Sequence, residues 1–104
     1  MRTGRKHIIL VKANTPPTVE IDTEAGAAYV RFKRAKIART LRHSSRWPIV
    51  TIDLNARGEV VGVEFVGVRR FNLGYLLRRV PLKAPPEAVD RANYVSAQAH
   101  RVAA

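Results

Sequence analysis

The chain contains no cysteine, few acidic residues and no long apolar run. Without cysteine, disulfides, thiolate metal sites and thiol nucleophiles are excluded, and a small secreted domain held together by bridges is disfavoured. No apolar run is longer than the four residues 8–11, whereas a membrane-spanning helix needs about 20 residues. The same run is too short for the core of a signal peptide, although basic residues precede it. We therefore expect a cytoplasmic protein without a membrane partner.

The scarcity of acidic residues leaves the charge strongly unbalanced. Nineteen lysine and arginine residues against eight acidic residues give a formal net charge of +11 and an isoelectric point near 11.3. Self-repulsion of such a surface opposes compact folding. The imbalance therefore favours a polyanionic partner, with nucleic acid first and an acidic protein second. The alternative is a solvated basic surface that has no partner.

The overall composition is that of one folded domain. The 104 residues are 46% hydrophobic and 26% charged, which suits a single hydrophobic core. We expect a basic N-terminal arm over residues 1–17, a β-meander with a short helix over residues 18–83, and a C-terminal helix or tail over residues 84–104. In the arm, residues 8–11 suit either an added edge strand or a partner-binding segment. An edge strand or the C-terminal helix would also allow oligomers.

Short alternating runs predict the first hairpin of a sheet. Val19 and Ile21 alternate with acidic residues, and Ala28 and Val30 alternate with Tyr29 and basic residues, as expected for strands with one buried face. If Ile21 pairs with Ala28, Val19 lies opposite Val30. Gly26 in the connection permits a positive φ.

Alternating apolar residues also flank the turn at residues 55–58 and predict a second hairpin. Pairing Leu54 with Glu59 sets Ile52 opposite Val61, so that the large apolar side chains share one face. Residues 37–41 are a weaker strand candidate. Residues 44–48 read as a loop whose Pro48 marks the start of the next strand.

Two helical patterns follow the sheet. Asn72 is a suitable N-cap for a helix whose apolar stripe runs from Leu73 to Val80 and would cover the apolar sheet face. A second pattern opens at residues 85–87 and continues through small apolar residues. These are Ala88, Ala92, Val95, Ala99 and Val102. The expected fold class is therefore α+β, an antiparallel β-meander of about four to five strands packed by one or two C-terminal helices.

Two segments resemble a small prokaryotic family, domain of unknown function 2283. Residues 21–32 are similar to its opening pattern, Tyr-Asp-x-Glu-x-Asp-x-Leu-Tyr-Ile-x-Leu, and residues 50–65 to its ending, Asp-x-Asp-x-x-Gly-x-Val-x-Gly-Ile-Glu. The chain departs from the family at Gly26, Ala28 and Arg42, where Asp, Leu and acidic residues are usual. The resemblance implies a β-rich fold and no catalytic residues, and some members of the family look like antitoxins.

The densest basic stretch is the sharpest functional signal. Residues 31–46 carry seven cations and no acidic residue. They are Arg31, Lys33, Arg34, Lys36, Arg39, Arg42 and Arg46. Such cations neutralise phosphates, and Tyr29, on the same strand face as Arg31 and Lys33, would stack on an unpaired base together with Trp47, at about 1–3 kcal/mol per base. The arm residues Arg2, Arg5 and Lys6 would add phosphate contacts. The alternative is that Tyr29 caps a sheet edge and the cations are only solvated.

Four further arginines, Arg69, Arg70, Arg78 and Arg79, bracket the first predicted helix. They would either extend the basic field or mark the polar side of the helix. Arg78 and Arg79 suit the negative end of the helix dipole, at about 0.3–1 kcal/mol each. We favour this structural role.

Catalytic and metal sites are disfavoured by spacing. Asp53 and Glu64 are not opposite each other in the expected register, and Asp53 suits turn stabilisation, whereas Glu64 suits an ion pair with an arginine. The three histidines are scattered, without the spacing of a zinc site. Ser44 or Ser45 beside His43 lacks a nucleophile elbow. We expect no enzyme, no cofactor and no metal.

Two functions therefore remain. The first is a non-enzymatic protein that binds nucleic acid through a phosphate-contacting cationic sheet face. The alternative is an antitoxin-like module, suggested by the family resemblance, in which the arm or the C-terminal helix docks on an acidic partner protein and neutralises it.

Overall fold

The computed structural model describes residues 9–11, 15–44, 46–80 and 82–97. These residues form eight strands and two short helices. In chain order they are β1 (Ile9–Leu10), β2 (Thr18–Asp22), β3 (Ala27–Arg31), β4 (Arg39–Ser44), β5 (Ile49–Leu54), β6 (Val60–Val66), α1 (Leu73–Leu77), β7 (Leu82–Lys83), α2 (Pro86–Asp90) and β8 (Asn93–Ser96). Neither helix in these ranges has the length or the apolar content to cross a membrane.

Six of the strands form one mixed sheet in the order β4-β5-β6-β3-β2-β8. All neighbours are antiparallel except β2 and β8, which are parallel. Strands β1 and β7 form a separate parallel pair. The β-rich, largely antiparallel architecture is confirmed, but the sheet has more strands than the four to five expected.

The first hairpin has the predicted register. Ile21 pairs with Ala28 and Val19 with Val30, and Gly26 has a φ of +62° in the connection. Both valines are fully buried. The alternation of apolar and polar residues was therefore sufficient to define this pair of strands.

The predicted register of the second hairpin is wrong by two residues. Ile52 pairs with Val63 rather than Val61, and an irregularity after Asp53 brings Leu54 opposite Val60. Sequence alternation fixes only the parity of a register, because a shift of two residues keeps every side chain on its face. One residue of the shift comes from the turn, which is one residue longer than expected, and the other from Val61, which has no partner in β5. Within the turn, the Asn55 Oδ1 atom accepts hydrogen bonds from the backbone N–H groups of Arg57 and Glu59, both at 2.9 Å.

The weaker strand candidate at residues 37–41 is β4, displaced towards the C-terminus. Its first backbone contact with β5 is the hydrogen bond from the Ala38 N–H to the Leu54 carbonyl, at 2.8 Å. Every β4 residue except Ser44 is exposed. The strand therefore forms an edge of the sheet that projects beyond the core. After the following loop, β5 begins directly after Pro48, as predicted.

Helix α1 covers the apolar sheet face. The Asn72 side chain accepts a hydrogen bond from the Tyr75 N–H at 3.1 Å, as a helix N-cap does. Leu73 and Leu76 are fully buried, and they belong to one core with the inward residues of β2, β3, β5 and β6. The helix ends at Leu77, earlier than the apolar stripe predicted.

The C-terminal segment, expected as a helix or a tail, contains both a helix and a strand. Helix α2 ends at Asp90, and β8 then pairs with β2 in parallel. The Asn93 N–H donates to the Pro17 carbonyl at 2.9 Å. The small apolar residues of the helical pattern bury little surface, whereas the edge of β2 offers backbone hydrogen-bonding groups. Ala99 and Val102 lie outside the described residues.

The described end of the N-terminal arm is a strand. Residues 9 and 10 form β1 on β7, and Val11 is buried, with its N–H donating to the Lys83 carbonyl at 2.9 Å. The segment is thus an added strand, but it lies outside the six-stranded sheet. Arg2, Arg5 and Lys6 lie outside the described residues.

Candidate nucleic-acid interface

The sheet face opposite α1 carries a row of polar side chains. Strand pairing places Arg31 beside Gly62, Gly62 beside Asp53, and Asp53 beside Thr40. Because side chains alternate along each strand, Tyr29 and Arg42 lie on this same face. We call it the polar face.

Tyr29 lies at the centre of the polar face. Its hydroxyl donates to Asp53 Oδ2 at 2.7 Å, and Thr40 Oγ1 donates to Asp53 Oδ1 at 2.6 Å. The ring passes over Gly62, where a Cβ atom would come within 2.3 Å of the tyrosine oxygen. Burial raises the pKa of Tyr29 far above its ordinary value, and the hydrogen bond to Asp53 raises that pKa further. Tyr29 is therefore a protonated donor that ties β3 to β5.

The guanidinium of Arg31 interacts with an aromatic ring and a carboxylate of the protein itself. Its guanidinium lies 5.0 Å from the centroid of the Tyr29 ring and 3.4 Å from Glu20 Oε2. The Tyr29 ring is thus in contact with both Gly62 and Arg31, and it is half-buried rather than presented to solvent as a stacking platform. Strand β3 lies inside the sheet, so Tyr29 does not cap an edge either.

Lys33 is matched as well. Its Nζ lies 3.4 Å from Glu59 Oε1, and Asn55 Nδ2 donates to the same carboxylate oxygen at 2.9 Å. The hydrogen bond from Asn55, with the nearby Lys33 charge, lowers the pKa of Glu59. Lys33 therefore forms an ion pair with a residue at the turn of the second hairpin.

The other five cations of the basic stretch are exposed. Within the described ranges, the ion pairs are Arg31–Glu20 and Lys33–Glu59, and none involves these five. We call them the cationic edge, since they lie on β4 and in the loops on either side of it. They are Arg34, Lys36, Arg39, Arg42 and Arg46.

The cationic edge does not lie on one sheet face. Arg42 pairs with Thr51 and lies on the polar face, whereas Arg39 pairs with Leu54 and lies on the face that α1 covers elsewhere. The prediction of a single cationic sheet face is corrected accordingly. The charges surround an edge strand instead, and no other strand of the described chain pairs with the outer side of β4.

Trp47 stands at the end of the cationic edge. The residue is 71% exposed, yet a Cβ atom at Gly67 would come within 1.9 Å of the indole Cε3 atom. The indole therefore lies against the backbone of Gly67 while most of its surface stays open to solvent. Of the two aromatic residues predicted to stack on a base, Trp47 is the one that the structure leaves accessible.

The side chains considered for catalysis have structural contacts. Asp53 accepts from Tyr29 and Thr40 rather than from turn amides. The Ser44 hydroxyl hydrogen-bonds the backbone of Arg46, at 3.2 and 3.3 Å. Glu64 is exposed and pairs in the ladder with Tyr29 and Thr51, and its expected ion pair with an arginine is absent from the described residues. Among the residues described, no three His, Asp or Glu side chains converge as a metal site.

A second cationic cluster surrounds Tyr75. The guanidinium of Arg79 lies 5.0 Å from the Tyr75 ring centroid and donates to its hydroxyl, and that of Arg70 lies 5.5 Å from the same centroid. Arg78 is the C-cap of α1. Arg79 folds back over the ring, a contact that the sequence analysis did not predict. The role of Arg78 and Arg79 at the helix dipole stays a prediction. The four-residue spacing of Tyr75 and Arg79 was the available signal in the sequence.

Comparison of the chain with family models, with curated proteins and with solved structures finds no match. The resemblance to domain of unknown function 2283 therefore stays a prediction.

Proposed function

We propose that this chain is a cytoplasmic, non-enzymatic protein that binds nucleic acid through phosphate contacts made by the cationic edge. One observation carries the proposal: five exposed cations surround a single edge strand, and none forms an ion pair within the described residues. The cations that share the basic stretch but have carboxylate partners, Arg31 and Lys33, are not included.

Counterion release supplies the binding free energy. Each phosphate neutralised by Lys or Arg releases condensed cations, so the affinity falls as salt rises. Arg39 and Arg42 are three residues apart on a strand that rises about 3.3 Å per residue, which separates them by about 10 Å. That spacing corresponds to about three nucleotides of one strand in a DNA duplex, at about 3.4 Å of helix axis each. Phosphates about three nucleotides apart would thus be contacted from the two faces of β4, with little dependence on base sequence.

The test is a binding titration with two variants of equal charge. Lys36→Gln/Arg39→Gln/Arg42→Gln removes three charges of the cationic edge, and the control Arg57→Gln/Lys83→Gln/Arg91→Gln removes three exposed charges elsewhere. Anisotropy of a labelled single-stranded oligonucleotide should show at least a tenfold loss of affinity for the first variant at low salt. The slope of log affinity against log salt should fall by about 2–3.

The control variant should lose less than threefold. An equal loss of affinity in both variants would contradict the proposal, because binding would then depend on net charge alone. Absence of binding to DNA and RNA by the wild type at low salt would remove it.

The second candidate is the antitoxin-like, protein-binding function. It is favoured by two exposed apolar residues at the cationic edge, Ile37 at 44% and Leu41 at 43% exposure, because an open edge strand with apolar side chains can receive a strand of a partner. A pull-down from native lysate with and without nuclease separates the two. A stoichiometric acidic protein that survives nuclease favours this candidate, whereas loss of all bound material after nuclease favours nucleic acid.

A further inference from the structure

A groove lies between α1 and the loop that carries Trp47. One part of it is lined by Pro48, Tyr75 and three arginines and has a volume of about 430 Å³, within the range of roughly 300–1,000 Å³ typical of small-ligand sites. A wider, open part is lined by Trp47 and Phe71. Both parts share Gly67, Val68 and Arg69, so they form one continuous surface.

The narrow part concentrates positive charge. Arg69, Arg70 and Arg79 line it, and none of them forms an ion pair within the described ranges. The ring of Tyr75 contacts two of the guanidinium groups, those of Arg70 and Arg79, as in a cation–π interaction. Three guanidinium groups that line one groove repel one another. A bound anion would relieve that repulsion, and guanidinium groups match phosphate in bidentate geometry.

The wide part offers a flat aromatic surface. Trp47 is fixed on one side by Gly67 and exposed over 71% of its surface. One carboxylate, that of Glu24, lines the same part, on the side of residues 23–26. An aromatic surface beside a set of arginines is the arrangement that receives a base with its attached phosphate.

We propose that this groove binds a nucleoside phosphate, with the phosphate on Arg69, Arg70 and Arg79 and the base stacked on Trp47. The ligand is either a free nucleotide or an unpaired nucleotide within a strand. The second case rests on the proposed function, because Arg46 of the cationic edge directly precedes Trp47 in the chain and would deliver the strand to the groove.

The test uses the intrinsic fluorescence of Trp47, which is the single tryptophan of the chain. The full-length protein is titrated at low salt with adenosine monophosphate, adenosine, inorganic phosphate and a short single-stranded oligonucleotide. Adenosine monophosphate or the oligonucleotide should change the emission in a saturable way, and inorganic phosphate should compete. Adenosine should require at least a tenfold higher concentration, because it lacks the phosphate.

Two variants of equal charge assign the change to the groove. Arg70→Gln/Arg79→Gln removes the pair of cations over Tyr75 and should raise the half-saturation concentration at least tenfold. The control Arg57→Gln/Arg78→Gln removes an exposed turn residue and the neighbour of Arg79, neither of which lines the groove, and should change it less than threefold.

The outcomes separate the two ligand sources and the two proposals. A response to the oligonucleotide alone assigns the site to a strand, and a response to both ligands assigns it to any nucleoside phosphate. Equal responses to adenosine and to its monophosphate would overturn the phosphate site. If anisotropy shows that the oligonucleotide binds while Trp47 emission stays constant, the groove proposal fails and the proposed function stands. If nothing binds by either readout, both fail.

Discussion

Arg31 and Arg42 project from the same polar face of one sheet, but their surroundings differ. Arg31 lies on an inner strand, where Glu20 and the Tyr29 ring contact its guanidinium. Arg42 lies on the edge strand, exposed and without an ion pair in the described part of the chain. Two arginines of one basic stretch thus differ in their surroundings: the one on the inner strand is contacted by groups of the protein, and the one on the edge strand is exposed.

The difference follows from the number of neighbours. An inner strand brings cross-strand residues to both sides of a side chain, as Thr18 and Gly62 flank Arg31, so a long cation there finds carboxylates and rings within reach. A residue of an edge strand has such a neighbour on one side only. Exposed ion pairs contribute only about 0–1 kcal/mol to stability, so these pairs matter mainly because they remove charge from the proposed binding surface.

The largest effect is expected at the centre of the polar face. In Gly62→Ala the new methyl group would overlap the Tyr29 ring, and such overpacking typically costs about 1–3 kcal/mol of stability. Urea denaturation should show this loss, while the affinity of the folded protein for an oligonucleotide stays within twofold of the wild type. In the background of Tyr29→Ala the same substitution should cost much less. An equal cost in both backgrounds would refute the contact.

The next effect comes from the hydroxyl of Tyr29. Tyr29→Phe removes the hydrogen bond to Asp53 and should lower the free energy of unfolding by about 0.5–1.5 kcal/mol near neutral pH. Thr40→Val removes the other donor to Asp53 and is the matched comparison. Because Tyr29 is an inner-strand residue, neither oligonucleotide affinity nor its salt dependence should change for Tyr29→Phe.

The difference between wild type and Tyr29→Phe should also depend on pH. Folding raises the pKa of Tyr29 above the unfolded value of about 10, so the folded state retains the proton more strongly. This contribution to stability is fully present below about pH 10 and declines as the pH rises towards the folded pKa. Unfolding curves of the two proteins should therefore converge above pH 10. A constant difference up to pH 11 would contradict the raised pKa.

The smallest effects separate Arg31 from Arg42. Arg31→Gln should lower stability by less than about 1 kcal/mol and leave oligonucleotide affinity nearly unchanged. Arg42→Gln should leave stability within about 0.5 kcal/mol and lower the log–log salt slope by about 0.7–0.9, the value of one phosphate contact. The two variants carry the same net charge, so the comparison does not depend on the total charge. Equal binding losses would remove the distinction between inner and edge cations.

Alternation in the sequence was enough to predict which face of the sheet each side chain lies on, but not every cross-strand pair. The pairing of Val19 with Val30 follows from alternation alone. The pairing of Ile52 with Val63 does not, because a turn one residue longer than expected and the skipped residue Val61 together shift the register by two, which keeps the parity. Strand β8 was missed for another reason: its residues fit a weak helical pattern, and the edge of β2 that it joins exists only in the folded sheet.

The sequence was enough to predict which stretch of the chain supplies the cations of the candidate site, but not how they are arranged in space. The density of cations in residues 31–46 was visible in the sequence. The ion-pair partner of Arg31, however, is Glu20, 11 positions away, and that of Lys33 is Glu59, 26 positions away. The groove beside Trp47 was not predictable, because it joins the loop before β5 to residues around α1. Such contacts depend on the tertiary fold rather than on local spacing.

The most direct measurement is an NMR titration of the arginine Nε–Hε groups of the ¹⁵N-labelled protein with a short single-stranded oligonucleotide at low salt. Signals are assigned by single Arg→Gln variants. The resonances of Arg39 and Arg42 should shift progressively and return when salt is added, while that of Arg31 should stay in place because Glu20 and Tyr29 already contact its guanidinium. A shift of the Arg31 resonance as large as that of Arg42, or no shift of any of the three, would contradict the account.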